Sequence, residues 1–112
     1  MEKWRNVVGY KGWYSVSNHG RIRRDMPGCR TFVGKIMEAK ISTKSNYYKT
    51  INLCKNGIDN YKTIHAIVTE AFFGKCPEGF EINHKDGNKI NNHIDNLEYV
   101  THRFNILHSW HI

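Results

Sequence analysis

A polar stretch of twelve residues, 85–96, separates two short apolar segments near the end of the chain. The flanking segments, residues 80–84 and 97–100, each have the length of a short strand. Thr101 is a good N-cap, and the residues from His102 to about Trp110 can continue as a helix. This order predicts a strand, a long loop, a strand and a helix, which together form a ββα unit.

Before residue 80, turn sequences and alternating apolar residues predict mostly antiparallel β-structure. Asn18-His19-Gly20 and Lys55-Asn56-Gly57 are typical turns, and Gly74 followed by Pro77 marks the end of a helix. A chain of 112 residues is too short for a doubly wound sheet or an eight-stranded α/β barrel, so the predicted class is α+β. The predicted elements are a hairpin over 13–24, an extended segment over 31–41, a strand over 47–54 with its partner over 60–64, and a helix over 65–73.

Charge is distributed unevenly along the chain, whose formal net charge is +7. Residues 1–60 contain 12 Lys and Arg against 4 Asp and Glu, whereas residues 61–112 contain 5 against 6. A basic half indicates a polyanionic partner, most simply nucleic acid, and the alternative is a solvated surface that aids solubility.

Location and redox state are constrained by what the sequence lacks. No run of about 18 apolar residues occurs, and the first residues have no apolar segment typical of a signal peptide, so we expect a cytoplasmic protein and no membrane partner. The three cysteines are an odd number without a C-x-x-C pair, which favours reduced thiols over disulfides or a cysteine-based zinc site.

Polar residues that can do chemistry concentrate in the last third. Asn83 and His84 end the first predicted strand, Asn105 lies one turn into the predicted helix, and His108 follows three residues later on the same face. A loop rich in asparagine is often no more than a series of turns. However, a ββα unit folds its helix across its hairpin and can bring these residues together. Amide oxygens and a neutral imidazole then provide weak ligands for a hard divalent ion and a base for water.

The chain resembles the HNH homing endonucleases of phages, which are ββα-metal, or His-Me finger, nucleases. The resemblance is carried by Ile82-Asn83-His84-Lys85-Asp86-Gly87-Asn88-Lys89 with Asn92, by Asn96-Leu97-Glu98-Tyr99-Val100-Thr101, and by Asn105 and His108. The segment 64–72 resembles the helix that precedes this motif. Separately, Trp4, Val8–Tyr14, Val16–Asn18 and Gly20–Arg23 are similar to a small DNA-binding module that often precedes such nucleases.

The resemblance implies a role for each residue that matches the nuclease motif. His84 stands at the position of the general base, and Asn96 at that of the asparagine that holds the loop and orients the base. Asn105 and Asn83 stand at the positions of the metal ligands. Because Asn83 is neutral, we expect the ion, one Mg²⁺ or Mn²⁺, to bind weakly without DNA.

DNA contacts are expected from both parts of the chain. Arg21, Arg23 and Arg24 are predicted to contact phosphates through the N-terminal module, with plain solvation as the alternative. His65 is a candidate phosphate contact or a helix-capping or core histidine, and His108 is expected to face DNA rather than to bind metal.

The resemblance therefore implies a basic β-rich DNA-binding module over 1–60 and a nuclease core over 61–112. The implied activity is metal-dependent hydrolysis of double-stranded DNA, one nick for each active site, by a monomer or homodimer. The implied setting is the cytoplasm of a bacterial host, with the protein encoded by a phage. The first alternative is a DNA-binding protein without catalysis, derived from an HNH nuclease. The second is a zinc-binding His/Cys domain.

Overall fold

The computed structural model describes residues 1–27, 32–44 and 46–109, with side chains up to residue 107. The side chain of His108, the predicted helix end at Trp110 and the first residue of the predicted 31–41 segment lie outside the described residues. Three small antiparallel sheets and two helices make up the described chain, which confirms the predicted α+β class.

The first sheet contains four short strands in sequential antiparallel order: β1 (Trp4–Asn6), β2 (Tyr14–Ser17), β3 (Ile22–Arg24) and β4 (Ile36–Met37). The hairpin predicted over 13–24 is confirmed as β2 and β3. Strand β1 was not predicted, because its three residues are too few to show an alternating pattern.

The second sheet consists of β5 (Lys40–Ser42), β6 (Tyr48–Lys55) and β7 (Ile58–Thr63). The β6–β7 hairpin confirms the predicted pair, and its Asn56-Gly57 turn has positive φ at both residues. The single extended segment predicted over 31–41 is wrong, because β4 and β5 belong to different sheets. Its first apolar residues, Phe32 and Val33, are exposed, since a turn at Gly34 with φ of 89° precedes β4.

Helix α1 (Ile64–Phe73) packs against the first two sheets, and its bounds agree with the prediction within one residue. Gly74 caps its C-terminus, with an N–H that donates to the carbonyl of Glu70. The buried core runs across the first two sheets and α1, and Leu97 of the last third also joins this apolar cluster. Its members are Val7, Tyr10, Tyr14, Val16, Ile22, Ile51, Leu53, Ile64, Ile67, Val68 and Leu97. The predicted boundary between residues 60 and 61 falls within β7 and stays a prediction.

The last third forms the predicted ββα unit. It consists of β8 (Phe80–His84), a 3₁₀ turn (Ile94–Asn96), β9 (Leu97–Thr101) and α2 (His102–Ser109). The antiparallel register places His84 opposite Leu97 and Asn83 opposite Glu98. Within the described part of the chain, none of the helices has the length and apolar character needed to cross a bilayer.

Candidate active site in the ββα cleft

The end of β8 and the first turns of α2 enclose a cleft of about 510 Å³. Asn83, His84 and Asn105 all line it, as their spacing predicted. Glu81, Lys89 and His102 lie in the same cleft. The ββα unit therefore brings an imidazole, two carboxamides and a carboxylate together on one concave surface.

His84 is held in a defined protonation state by its surroundings. Its side chain is buried, and Nε2 lies 2.8 Å from Oδ1 of Asn92. An amide oxygen can only accept a hydrogen bond, so Nε2 carries the proton and Nδ1 keeps its lone pair. Burial lowers the pKa of His84 below 6.5, opposed by the Asn92 hydrogen bond and the Asp86 carboxylate. A neutral imidazole with a free Nδ1 can accept a proton at neutral pH.

Aromatic rings pack behind the His84 imidazole. Tyr48 stacks on it with ring centroids 5.7 Å apart, and His65 meets it edge to face at 5.2 Å. Burial, and after it the repulsion between the two rings when both are protonated, lowers the pKa of His65 to about 4. The Nδ1 of His65 is buried without a hydrogen-bond partner. This packing favours the core alternative for His65 over a phosphate contact, and its predicted DNA-binding role stays a prediction.

Two glutamates orient the two carboxamides of the cleft. The Asn83 amide donates from Nδ2 to Oε2 of Glu98 at 2.8 Å, and the Asn105 amide donates from Nδ2 to Oε1 of Glu81 at 2.6 Å. The bond from Asn105, followed by that from His102, lowers the pKa of Glu81, so this carboxylate is ionised. Since both amide nitrogens point at glutamates, the oxygen of each amide is the atom available to a cation.

The donor set of the cleft fits a hard, weakly held divalent cation. Two neutral amide oxygens are few ligands, which suits an ion that keeps waters and takes phosphate oxygens from its substrate. In the described residues, no group of three His, Cys, Asp or Glu side chains is arranged to hold a metal. The zinc-binding alternative therefore gains no support from the described part of the chain.

Asn96 organises the loop between the two strands. Its Nδ2 donates to Oδ1 of Asp86 and to the carbonyl of Asn91, both at 2.9 Å, and its Oδ1 accepts from the Asp86 N–H at 3.1 Å. The side chain of His84 bonds to Asn92 and not to Asn96 in the described part of the chain. Any effect of Asn96 on the base therefore passes through the loop.

Comparison with known sequences places the chain in a family. A sequence model of the NUMOD4 motif matches residues 2–65, which is more than half of the chain, and a model described as HNH endonuclease matches residues 62–106. The chain contains an HNH endonuclease domain. It carries a NUMOD4 motif ahead of the HNH region, and the two matches meet at the start of α1.

Individual HNH relatives extend over nearly the whole chain. The DNA endonuclease I-HmuI of Bacillus phage SP01 is 35% identical over 104 residues, covering 93% of this chain and 55% of that protein. The uncharacterized HNH endonuclease L245 of Acanthamoeba polyphaga mimivirus is 32% identical over 109 residues, covering 97% of this chain and 30% of that protein. A solved structure of DNA binding and cleavage by the HNH homing endonuclease I-HmuI matches with a TM-score of 0.81 and 33% identity, covering 97% of this chain and 58% of that chain. This HNH chain thus spans 30–58% of these relatives.

Each of the three arginines that were predicted to contact DNA has an internal partner. Arg21 is the most accessible, with 52% of its side chain exposed, whereas Arg23 packs its guanidinium 4.5 Å from the ring centroid of Trp4. Their Nε partners are Glu2 at 3.0 Å for Arg21, Asp25 at 3.2 Å for Arg23, and the carbonyl of Met26 at 3.1 Å for Arg24. The DNA-binding role of all three stays a prediction, and Arg21 is the one best placed to exchange its partner for a phosphate.

Sequence reasoning did not assign roles to three residues of the HNH site. Glu98 could have been found from the strand register, because it stands directly opposite Asn83. The strand register does not identify Glu81 or Asn92. Glu81 contacts Asn105 only because α2 packs on the hairpin, and Asn92 reaches His84 only through the fold of the loop.

Proposed function

We propose that this chain is a metal-dependent DNA endonuclease that hydrolyses one strand of double-stranded DNA at each active site. The observation that carries the proposal is the His84 imidazole, buried and fixed by Asn92 with its Nδ1 free, in the same cleft as the oriented amides of Asn83 and Asn105. Metal-assisted phosphodiester hydrolysis uses a base to activate water and oxygen ligands to hold a divalent ion, and this cleft contains both kinds of group.

His84 acts as the general base in this proposal. Its Nδ1 takes a proton from a water molecule as the water oxygen forms a bond to the scissile phosphorus. The bond from phosphorus to the 3′ oxygen breaks, the leaving oxygen takes a proton from solvent water, and His84 later returns its proton to solvent. The products carry a 5′ phosphate and a 3′ hydroxyl. Asn92 keeps the other ring nitrogen protonated, which leaves Nδ1 as the nitrogen able to accept a proton.

Asn83 and Asn105 hold the divalent ion through their amide oxygens. When bound, the ion, Mg²⁺ or Mn²⁺, stabilises negative charge on the phosphate and on the leaving oxygen. Glu98 and Glu81 fix the two amides and add negative charge beside them. This arrangement compensates in part for the neutral side chain at Asn83, and we expect the ion to bind more tightly once DNA phosphate completes its ligands.

The basic NUMOD4 region binds the DNA duplex. Support comes from the excess of positive charge in residues 1–60 and from the relative I-HmuI, whose structure is described as binding and cleaving DNA. One site for each chain produces a nick when the protein acts as a monomer, and paired sites require a homodimer. The similarity to an endonuclease of Bacillus phage SP01 supports a phage-encoded protein that acts in the cytoplasm of its bacterial host.

The test is nicking of supercoiled plasmid in the presence of Mg²⁺ or Mn²⁺. Wild type is compared with His84→Ala and with Asn52→Ala, a change in a hairpin residue that does not line the cleft. General bases contribute about 10²–10⁴-fold to rate, so His84→Ala should lose at least about a hundredfold while Asn52→Ala does not.

Binding measured on the same proteins separates the enzyme from its alternative. DNA binding that needs neither metal nor His84, with no nicking by wild type on varied DNA, would establish the non-catalytic DNA-binding protein instead. Equal nicking by wild type and His84→Ala would remove His84 from the mechanism.

A further inference from the structure

The turn between β2 and β3, Asn18-His19-Gly20, is held rigidly by its own surroundings. The Gly20 N–H donates to the Ser17 carbonyl at 3.0 Å. The buried Ser17 hydroxyl accepts from the backbone N–H of His19 and of Arg21, both at 3.2 Å. The Asn18 side chain accepts from the N–H of Lys3, the residue before β1, at 2.8 Å.

This NUMOD4 turn is packed directly against the HNH loop. The carbonyl of Asn18 accepts from the Ile94 N–H at 2.8 Å, and the rings of His19 and His93 lie 4.8 Å apart between centroids. Gly20 lies so close to Asn92 that there is no room for a side chain. A Cβ at position 20 would lie 2.9 Å from the backbone oxygen of Asn92 and 3.0 Å from its Cβ. Real Cβ atoms do not approach so closely, so any other residue at position 20 requires the turn and the backbone of Asn92 to move apart.

The residue that Gly20 contacts is the one that holds the base. Asn92 is buried, and its Oδ1 accepts the hydrogen bond that fixes Nε2 of His84 as the protonated nitrogen. The same asparagine thus has its backbone against the NUMOD4 turn and its side chain on the imidazole. A shift of the Asn92 backbone by a few tenths of an ångström would move Oδ1 away from the ring.

We propose that Gly20 is a positioning residue for the nuclease reaction: the NUMOD4 turn supports Asn92 and thereby sets the orientation and tautomer of His84. The NUMOD4 region would then have a second role beyond DNA binding. Its effect on cleavage rests on the function proposed above, whereas its effect on the imidazole does not.

A competing explanation is that Gly20 serves only its own turn, since its φ of 85° is strained for any L side chain. Gly79 provides a matched control, because its φ is 83° and nothing lies within 4 Å of where its Cβ would be. Gly20→Ala and Gly79→Ala therefore share the backbone strain, and only the first forces a contact with Asn92.

The experiment compares wild type, Gly20→Ala and Gly79→Ala by NMR of ¹⁵N-histidine-labelled protein and by single-turnover nicking at saturating DNA. We expect the Nε2–H tautomer of His84 in wild type and in Gly79→Ala, and a mixture of tautomers in Gly20→Ala. Small displacements of catalytic groups can cost about a hundredfold in rate, so we expect Gly20→Ala to lose about tenfold or more with its DNA affinity within about threefold of wild type.

A second variant keeps the test decisive if Gly20→Ala does not fold. His19→Ala removes an exposed ring and its contact with His93, and should shift the His84 ring signals with a loss of about threefold in rate, less than the effect of a direct displacement. The proposal is overturned if the His84 tautomer in Gly20→Ala matches that in Gly79→Ala, or, where Gly20→Ala is unfolded, if His19→Ala leaves the His84 signals unchanged. A tautomer change in a protein that nicks no DNA supports the positioning role and overturns only the proposed activity.

Discussion

The first 73 residues and the ββα unit are held together by different forces. In the first part, buried residues are mostly aliphatic and aromatic and form one apolar cluster that spans two sheets and α1. The ββα unit adds only Leu97 to the buried members of that cluster, and its other buried residues include Asn83, His84 and Asn92. Apolar burial determines the shape of the first part, whereas hydrogen bonds between particular partners determine the shape of the second.

This difference matters because the two forces respond differently to substitution. Apolar packing is non-directional and its loss is felt as global instability. A polar network fixes the direction of each group, so its loss displaces a few atoms at a modest cost in stability. We therefore expect substitutions in the core to act mainly on stability, and substitutions in the loop to reduce activity by more than their loss of stability explains.

The largest effect on stability is expected in the core. Leu53 lies in β6 of the second sheet, and its side chain is completely buried in the apolar cluster. Leu53→Ala should lower the free energy of unfolding by about 2–5 kcal/mol through lost burial and a residual cavity. Ile58→Ala, at a side chain that is 70% exposed, should change it by less than about 0.5 kcal/mol. Urea titration measures both, and equal effects would show that the apolar cluster does not dominate stability.

The next effect is expected in the loop. Asn96→Ala removes three hydrogen bonds around Asp86 and Asn91, at a cost of about 1–3 kcal/mol, less than Leu53→Ala. Because the loop positions Asn92 and so His84, nicking should fall by more than stability alone explains. Single-turnover rates taken well below the melting temperature would reveal this, with Leu53→Ala as the control. A greater loss of rate in folded Leu53→Ala than in Asn96→Ala would contradict the comparison.

The same distinction explains which elements the sequence could predict. Apolar spacing and turn residues were enough to predict α1, the β6–β7 hairpin and the order of the ββα unit. The segment 31–41 was misassigned because its apolar residues belong to a turn and to two separate sheets, and alternation along the chain does not show which sheet a strand joins.

The site was predictable to a similar extent. The grouping of Asn83, His84 and Asn105 followed from the geometry of a ββα unit and from the family resemblance. The partner of His84 could not be predicted, because the loop contains several asparagines with equivalent chemistry, and only the folded loop brings Asn92 to the ring. Several asparagines could make this hydrogen bond on chemical grounds, and the fold determines which of them does.

A smaller effect concerns pH, because burial lowers the pKa of two histidines, His65 in α1 and His84 in the ββα unit. The pKa of His65 is lowered from 6.5 to about 4 in the folded protein, and that of His84 is also lowered. Between pH 6.5 and 4 the unfolded chain therefore binds more protons than the folded one, and stability should fall as the pH falls through this window.

Denaturant unfolding at pH 5 and pH 7.5, without metal, measures this effect. His65→Phe keeps a ring against Tyr48 and His84 but removes one titrating group, so its loss of stability at pH 5 should be smaller than that of wild type. An unchanged loss would exclude His65 as a source of the pH dependence. Asp86 and Glu81 contribute little between pH 7.5 and pH 5. Their ordinary pKa values, 3.8 and 4.5, are already below pH 5, and both are lowered further in the folded protein.

The most direct test of the division between the two regions uses the accessible arginine of the NUMOD4 part. Arg21→Gln removes one positive charge from that region, and Lys75→Gln removes one from the exposed segment that follows α1. The two variants are compared by their DNA affinity as a function of salt and by their single-turnover nicking rate at saturating DNA.

If the basic region binds DNA and the polar cleft cleaves it, Arg21→Gln should weaken binding and reduce the slope of log affinity against log salt by about 0.9. Its nicking rate at saturating DNA should stay within about twofold of wild type, since a phosphate contact made equally in the ground and transition states contributes to binding and not to the chemical step. Lys75→Gln should change neither quantity. A nicking rate that falls in Arg21→Gln while affinity and salt slope stay at their wild-type values would contradict the account.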